Sequence, residues 1–254
     1  MKKIFKFQLK DILIGCSIYG LILLLLAFIS VGIILTNGNI KMSLSGNSFV
    51  SVIFCLSIGI GIYKEHCQMA VMNSVSRKDF FKSFLCITIL TSLLCTLIDL
   101  ILLIISQMPM LRPSSDSGFI YNSAFIEILE IFYPGFFETR SAAVITAAGF
   151  LLEILTNSGF FLLGALTAGI YCRMPKKFRT IYCIMLPIFG FVILPLFFAA
   201  ISFSPQSPGR LFTAFLQIMG ISSGNPFLGA LSVMIASAAI AFICYRILRR
   251  TEIV

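Results

Sequence analysis

Two carboxylates interrupt otherwise apolar runs, Asp99 in "LLCTLIDLILLI" and Glu153 in "GFLLEILTN". An ionisable group inside a membrane span is costly, because hydrocarbon offers it no water, and it marks a path, a relay or a polar pocket. At 1.5 Å of rise per residue, Asp99 stands roughly 26 Å from Lys82 at the start of its run, and Glu153 roughly 30 Å from Arg173 at the end of its own. Both are expected in the outer third of a span. One reading is a polar outer vestibule that meets a substrate on its way out. The other is a protonated or water-exposed carboxyl near the outer interface, bonded to neighbours such as Thr96 or Thr156. A proton-coupled carrier would hold such acids near the midplane, where substrate and ion sites lie, so their depth argues against that class.

The remaining reactive residues exclude several chemistries. His66 beside Cys67 has no partner at helical or C-x-x-C spacing, so no metal site is expected. The chain contains no G-x-x-x-x-G-K-[ST] to cradle nucleotide phosphates, and with a single His it has no pair of histidines for a zinc protease. An enzyme is not expected. The eight cysteines all fall within spans or on the inner side, and no structural disulfide is expected.

The elements that must position these residues are membrane helices. Of 254 residues 59% are hydrophobic and 11% charged, with a mean hydropathy of +1.03. Soluble domains run at roughly 45–50% apolar and about 25% charged. A bilayer core of about 30 Å needs roughly 20 apolar residues per helix, and segments 12–36, 47–63, 83–107, 142–171, 181–203 and 226–245 satisfy or nearly satisfy that. The expectation is an all-α membrane protein with six transmembrane helices, forming one transmembrane domain over 1–254. The first run is far longer than a signal h-region and is read as a retained span.

Positive residues stay on the cytoplasmic side. With the N-terminus inside, 15 of the 19 basic residues fall on that side, in four short clusters from Lys2 to Lys10, Lys64 to Lys82, Arg173 to Arg179 and Arg246 to Arg250. Both termini are therefore expected in the cytoplasm. The net charge of +9 is an orientation signal, and nucleic acid is not an expected partner.

Within this frame, Lys2, Lys3, Lys6 and Lys10 share an arc of about 100° on a helical wheel, which predicts an amphipathic helix lying in the membrane surface before the first span. On the outer side, "GFIYNSAFIEILEIFYPGFFE" reads as a second interfacial helix with Asn122, Ser123, Glu127 and Glu130 facing the medium, stopped by Pro134-Gly135. Pro187, Gly190 and Pro195 bend the fifth span. Gly164 and Ala168 give the fourth span a small-xxx-small spacing for close helix packing.

Between the second and third spans lies "MAVMNSVSRKDFFKSF", Met69 to Phe84. The second span continues past Tyr63 into helix-compatible sequence until Asn73-Ser74. Ser76 and Asp79 then have the spacing of a capping box, and Phe80, Phe81 and Phe84 are placed to anchor the elbow at the headgroup level.

This loop, with the basic N-terminal helix and six spans, resembles the permease subunits of type-2 ATP-binding-cassette exporters, small bacterial six-span type. In that family the cytoplasmic segment between spans two and three, often reading like N-G-x-S-R-K-x-F-F, is a coupling helix that docks on a separate ATPase. The match covers Asn73, Ser76, Arg77, Lys78, Phe80 and Phe81, with Ser74 in place of the usual glycine. The resemblance implies a chain in the bacterial plasma membrane, surrounded by membrane lipid and paired with a second permease copy or a related permease. It also implies two cassette ATPase subunits that carry ATP and Mg. The coupling surface would comprise Met69, Val71, Met72, Asn73, Val75, Ser76, Arg77 and Lys78, with the apolar members supplying most of the contact. The transport path would be lined by Ser51, Cys55, Phe189 and Phe197. Small permeases of this length are often involved in export of, or immunity to, antimicrobial peptides. The competing class is a secondary carrier driven by an ion gradient.

Overall fold

A computed structural model describes residues 2–37, 41–45, 47–73, 75–107, 118–188, 213 and 216–250. In chain order these form α1 (Lys2–Asn37), β1 (Lys41–Ser45), α2 (Asn47–Met72), α3 (Arg77–Ser106), β2 (Gly118–Asn122), α4 (Ala124–Phe132), α5 (Pro134–Thr139), α6 (Ala142–Arg173), α7 (Lys176–Ile188) and α8 (Pro226–Arg250). Five helices are long and apolar enough to cross a membrane, over Phe5–Ile33, Phe49–Cys67, Arg77–Ser106, Ala142–Arg173 and Pro226–Arg249. The chain is a multi-pass membrane protein by the length and composition of these helices. Of the expected fifth span only α7 is described, and Phe189, Gly190, Pro195 and Phe197 lie outside the described residues.

The bundle is apolar outside and partly polar inside. Leu21, Leu25, Phe28, Ile101 and Ile235 are exposed, whereas Ser51, Ser83, Thr88, Thr91, Ser92 and Asn157 are buried. That distribution suits a lipid solvent, in which an exposed hydroxyl finds no partner but an exposed leucine costs nothing. Thr88, Thr91, Ser92 and Thr96 each bond back to a carbonyl of the preceding turn of α3.

The centre of the bundle is α6, which packs on α2, α3, α4 and α8. Glycines decide how closely α2 approaches it. A Cβ at Gly59 would collide with the carbonyl oxygen of Phe161, and one at Gly164 with that of Leu56. The two backbones therefore touch with no side chain between them, as the spacing of Gly164 and buried Ala168 predicts for a close helix crossing.

Four expectations change. The N-terminal residues do not form a separate surface helix: α1 runs unbroken from Lys2 to Asn37, because no proline or paired glycine separates the lysines from the apolar run. Its first turns join the bundle, with Gln8 fully buried and accepting from Ser83 Oγ at 2.7 Å. Phe80, Phe81 and Phe84 are buried in the core instead of lying at the headgroups. Phe84 meets Tyr63 and Phe161 with centroids 5.6 and 5.4 Å apart, and Phe81 meets Tyr245 at 5.2 Å. A phenyl ring has no polar tip to hold at an interface, so packing decides its place.

The helices are also accompanied by a two-stranded parallel sheet, in which Lys41 to Ser45 pairs in register with Gly118 to Asn122. An all-α expectation omits it. Because α1 and α3 pack side by side and run the same way, the chains leaving them emerge as neighbours in the same direction, with α2 and α3 serving as the crossover that parallel strands require. The predicted single outer helix is accordingly split into β2, α4 and α5. Pro134 opens α5 instead of only ending α4, and Ser123 is buried while Glu130 faces out.

Candidate functional site

Two places carry the functional residues: the junction between α2 and α3, and a polar cluster within the bundle. At the junction, α2 closes with Asn73 N–H and Asn73 Nδ2 both donating to Met69 O, at 3.0 and 2.8 Å, and with Val75 N–H donating to Ala70 O at 2.9 Å. This last bond spans six residues and satisfies one of the carbonyls left open at the helix C-terminus. Ser76 then caps α3 in extended conformation (φ −63, ψ 137). Its Oγ accepts from Asp79 N at 3.1 Å and donates to Asp79 Oδ2 at 2.8 Å. The N-cap half of the box read from Ser76 and Asp79 is therefore formed, while the Asp79 carboxylate bonds back to the Ser76 hydroxyl instead of to its backbone N–H, and both polar side chains are spent inside the turn.

The elbow this produces is tight and outward-facing. Met72 is 84% exposed and Met69 44%, while Asn73, Ser76, Arg77 and Lys78 are exposed beside them. Val75 is half-buried against the core, so it is less available to a partner than the sequence suggests. The side chain of Val71 lies outside the described residues. No separate short helix forms here, since α2 is continuous from Asn47 to Met72. Arg77 reaches along the surface to α8, its Nη1 donating to Arg249 O at 2.6 Å, which ties the last turn of α8 to the elbow.

The same end of the bundle gathers the beginning of α1. Asp11 Oδ2 lies 2.9 Å from Nε2 of buried His66, and Phe7 packs on the imidazole with centroids 5.1 Å apart. Sequence reasoning missed this pair, because the partners are 55 positions apart on two helices. Lys6, Lys10, Arg77, Lys78, Lys82, Arg173, Lys177, Arg179, Arg246 and Arg249 all belong to this end. Glu127, Glu130 and Glu138 belong to the opposite one, on α4 and α5.

The polar cluster lies toward that opposite end. Asp99 from α3, Glu153 and Asn157 from α6, and Ser51 from α2 each have 0% exposure. Ser51 Oγ lies 3.5 Å from Asn157 Oδ1, a long hydrogen bond. The carboxyls of Asp99 and Glu153 lie near enough to influence each other, while no hydrogen bond to either oxygen of Glu153 or from Nδ2 of Asn157 is formed among the described residues. The two acids were expected in an outer vestibule, or as protonated or water-exposed carboxyls near the outer interface. In the structure both are fully buried and lie near each other. Thr96 does not serve Asp99 as expected, because its hydroxyl donates to Ser92 O. Asn157 was missed, although it stands one helical turn from Glu153 and so on the same face of α6.

The two described members of the expected path are also sealed. Cys55 is fully buried with its Sγ 3.8 Å from that of Cys95, and Ser51 is covered by α6. At the outer end, Tyr133 is buried between α4 and the turn before α8, donating to Met219 O at 2.5 Å, and burial raises its phenol above the usual range. No group of three or more metal-ligating side chains occurs among the described residues. Comparisons of the chain with protein-family models, characterised proteins and solved structures find no match.

Proposed function

We propose that this chain is the transmembrane permease subunit of an ATP-binding-cassette exporter, with two copies, or one copy and a related permease, assembled on two cassette ATPase subunits. The observation that carries the proposal is the elbow between α2 and α3. It is doubly hydrogen-bonded, it exposes Met69 and Met72 beside Asn73, Ser76 and Lys78, and it joins two long helices. A rigid turn of this kind transmits a push from a partner into both helices. Methionine supplies an adaptable apolar contact, and the flanking charge contributes orientation and encounter rate more than affinity.

The basic residues at this end support a cytoplasmic position for it and for both termini. Six spans are supported by chain direction. Both α6 and α8 run toward the basic end, since Gly159 faces Ser237 and Gly169 faces Ile247, as two spans separated by one further span would. The substrate is apolar or amphipathic, as an antimicrobial peptide is. ATP and Mg are bound by the partner.

The test is purification of the tagged chain from its native membrane. The wild type is expected to bring down a Walker-A-containing ATPase, and Met69→Asp with Met72→Asp to release it, because the variant buries two charges without partners. An ATPase that is absent from the wild-type complex, or is retained by the variant, would sink the proposal. A gradient-driven carrier is the second reading, and the observation favouring it is the buried contact between Asp99 and Glu153. It predicts transport that collapses with an uncoupler at constant ATP and is lost in Asp99→Asn and Glu153→Gln.

A further inference from the structure

The last two turns of α8 line one side of a cup of about 550 Å³, whose described lining residues are Phe242, Tyr245, Arg246 and Arg249. None of these is acidic, and no Lys or Arg is ion-paired with a carboxylate among the described residues. The walls are fixed from behind. Cys244 and Leu248 are buried in the bundle, the ring of Tyr245 packs on Phe81, and Arg77 holds the Arg249 carbonyl. The guanidinium of Arg246 lies 5.3 Å from the centroid of Phe242, which orients it without neutralising it.

The cup continues into an apolar stripe. Ile235, Phe242 and Arg249 are spaced by seven residues, two helical turns, and so follow one face of α8. Ile235 is 61% and Phe242 58% exposed. A small soluble anion would use only the arginines, whereas a molecule carrying both a phosphate and an alkyl chain would use the whole surface. Arginine suits phosphate because its planar fork gives two parallel hydrogen bonds, and basic pockets at the cytoplasmic ends of membrane helices recognise lipid headgroups in this way.

We propose that the basic end of α8 is a binding site for an anionic phospholipid, with its phosphate held by Arg246 and Arg249 and an acyl chain laid along Phe242 and Ile235. This does not depend on the exporter reading. Because Arg249 is tied to the elbow through Arg77, the bound lipid braces the turn between α2 and α3.

The experiment is native mass spectrometry of the delipidated full chain titrated with phosphatidylglycerol or with phosphatidylcholine, repeated in the presence of millimolar inorganic phosphate. The wild type is expected to retain phosphatidylglycerol preferentially, with phosphate unable to displace it. Arg246→Gln with Arg249→Gln should weaken retention about 30-fold, from roughly fivefold for each charge near the headgroups. Phe242→Ala should weaken it less. Lys6→Gln with Lys177→Gln, at the same end of the bundle, should leave it within twofold. Equal retention of both lipids, displacement by phosphate, or equal losses in the arginine and lysine pairs would each overturn the proposal. Unchanged retention in the arginine pair would overturn it as well and hand those side chains to a protein partner.

Discussion

The elbow between α2 and α3 and the cluster around Glu153 treat polar groups in opposite ways. At the elbow the side chains of Asn73 and Ser76 are satisfied within a few residues of themselves, although water is available there. In the cluster, Glu153 and Asn157 are fully buried and retain atoms with no described partner. Stability alone favours the first arrangement and opposes the second, since an unsatisfied buried polar group costs about 1–3 kcal/mol. A rigid exposed turn is built to be touched. A buried cluster whose atoms lack partners among the described residues is a cost those residues alone do not offset, and intramembrane acids of this kind mark function by default.

The contrast is most exposed to damage at the crossing that connects the two regions. Gly59 and Gly164 lie between them, and Gly59→Leu or Gly164→Leu drives a side chain into the opposite backbone. The expected loss is about 3 kcal/mol or more, seen as aggregation on size-exclusion chromatography in mild detergent. A monodisperse variant with an unchanged thermal midpoint would show that α2 and α6 do not cross there. Next in size is Glu153→Gln, which replaces a buried carboxyl lacking described donors with an amide isostere that cannot ionise. If the cluster is only a structural burden, stability should rise by about 1–3 kcal/mol and transport should persist. A fall in midpoint, or loss of transport, would show that the carboxyl holds something the fold needs.

Ser76→Ala removes the cap of α3 and should cost about 1 kcal/mol, with hydrogen exchange rising in the first turn from Arg77. No loss in the cap variant would mean that the elbow is held by packing instead. The smallest effect is expected from Met69→Asp with Met72→Asp in the isolated chain. Both side chains are exposed, so the midpoint should stay within about 0.5 kcal/mol. A large destabilisation would show that the methionines are covered and are not a docking surface.

Much of the elbow was legible beforehand because its determinants are local. A capping box needs only Ser76 and Asp79 three apart, and a helix stop needs only the residues around Asn73. The glycine spacing at Gly164 was legible as a packing face, but not the helix it meets. Phe80, Phe81 and Phe84 were misplaced because an aromatic near a basic loop has the same local signature whether it faces headgroups or a core. The parallel pairing of β1 with β2 was invisible for a similar reason, since it follows from α1 and α3 being neighbours.

The sequence by itself determined that this is a membrane protein, which segments form its long apolar helices, that the basic residues collect at one end, and how the α2–α3 turn closes. Each of these depends on composition or on contacts within a few residues, where hydropathy and backbone hydrogen bonding are decided. Only the tertiary structure decided that Asp99 meets Glu153, that Asn157 and Ser51 join them, that His66 rests on Asp11, and that Arg77 reaches the end of α8. Those pairings join residues far apart in the chain, and which helices become neighbours is set by backbone approach at glycines such as Gly59 and Gly164. That quantity belongs to two helices at once and is carried by neither alone.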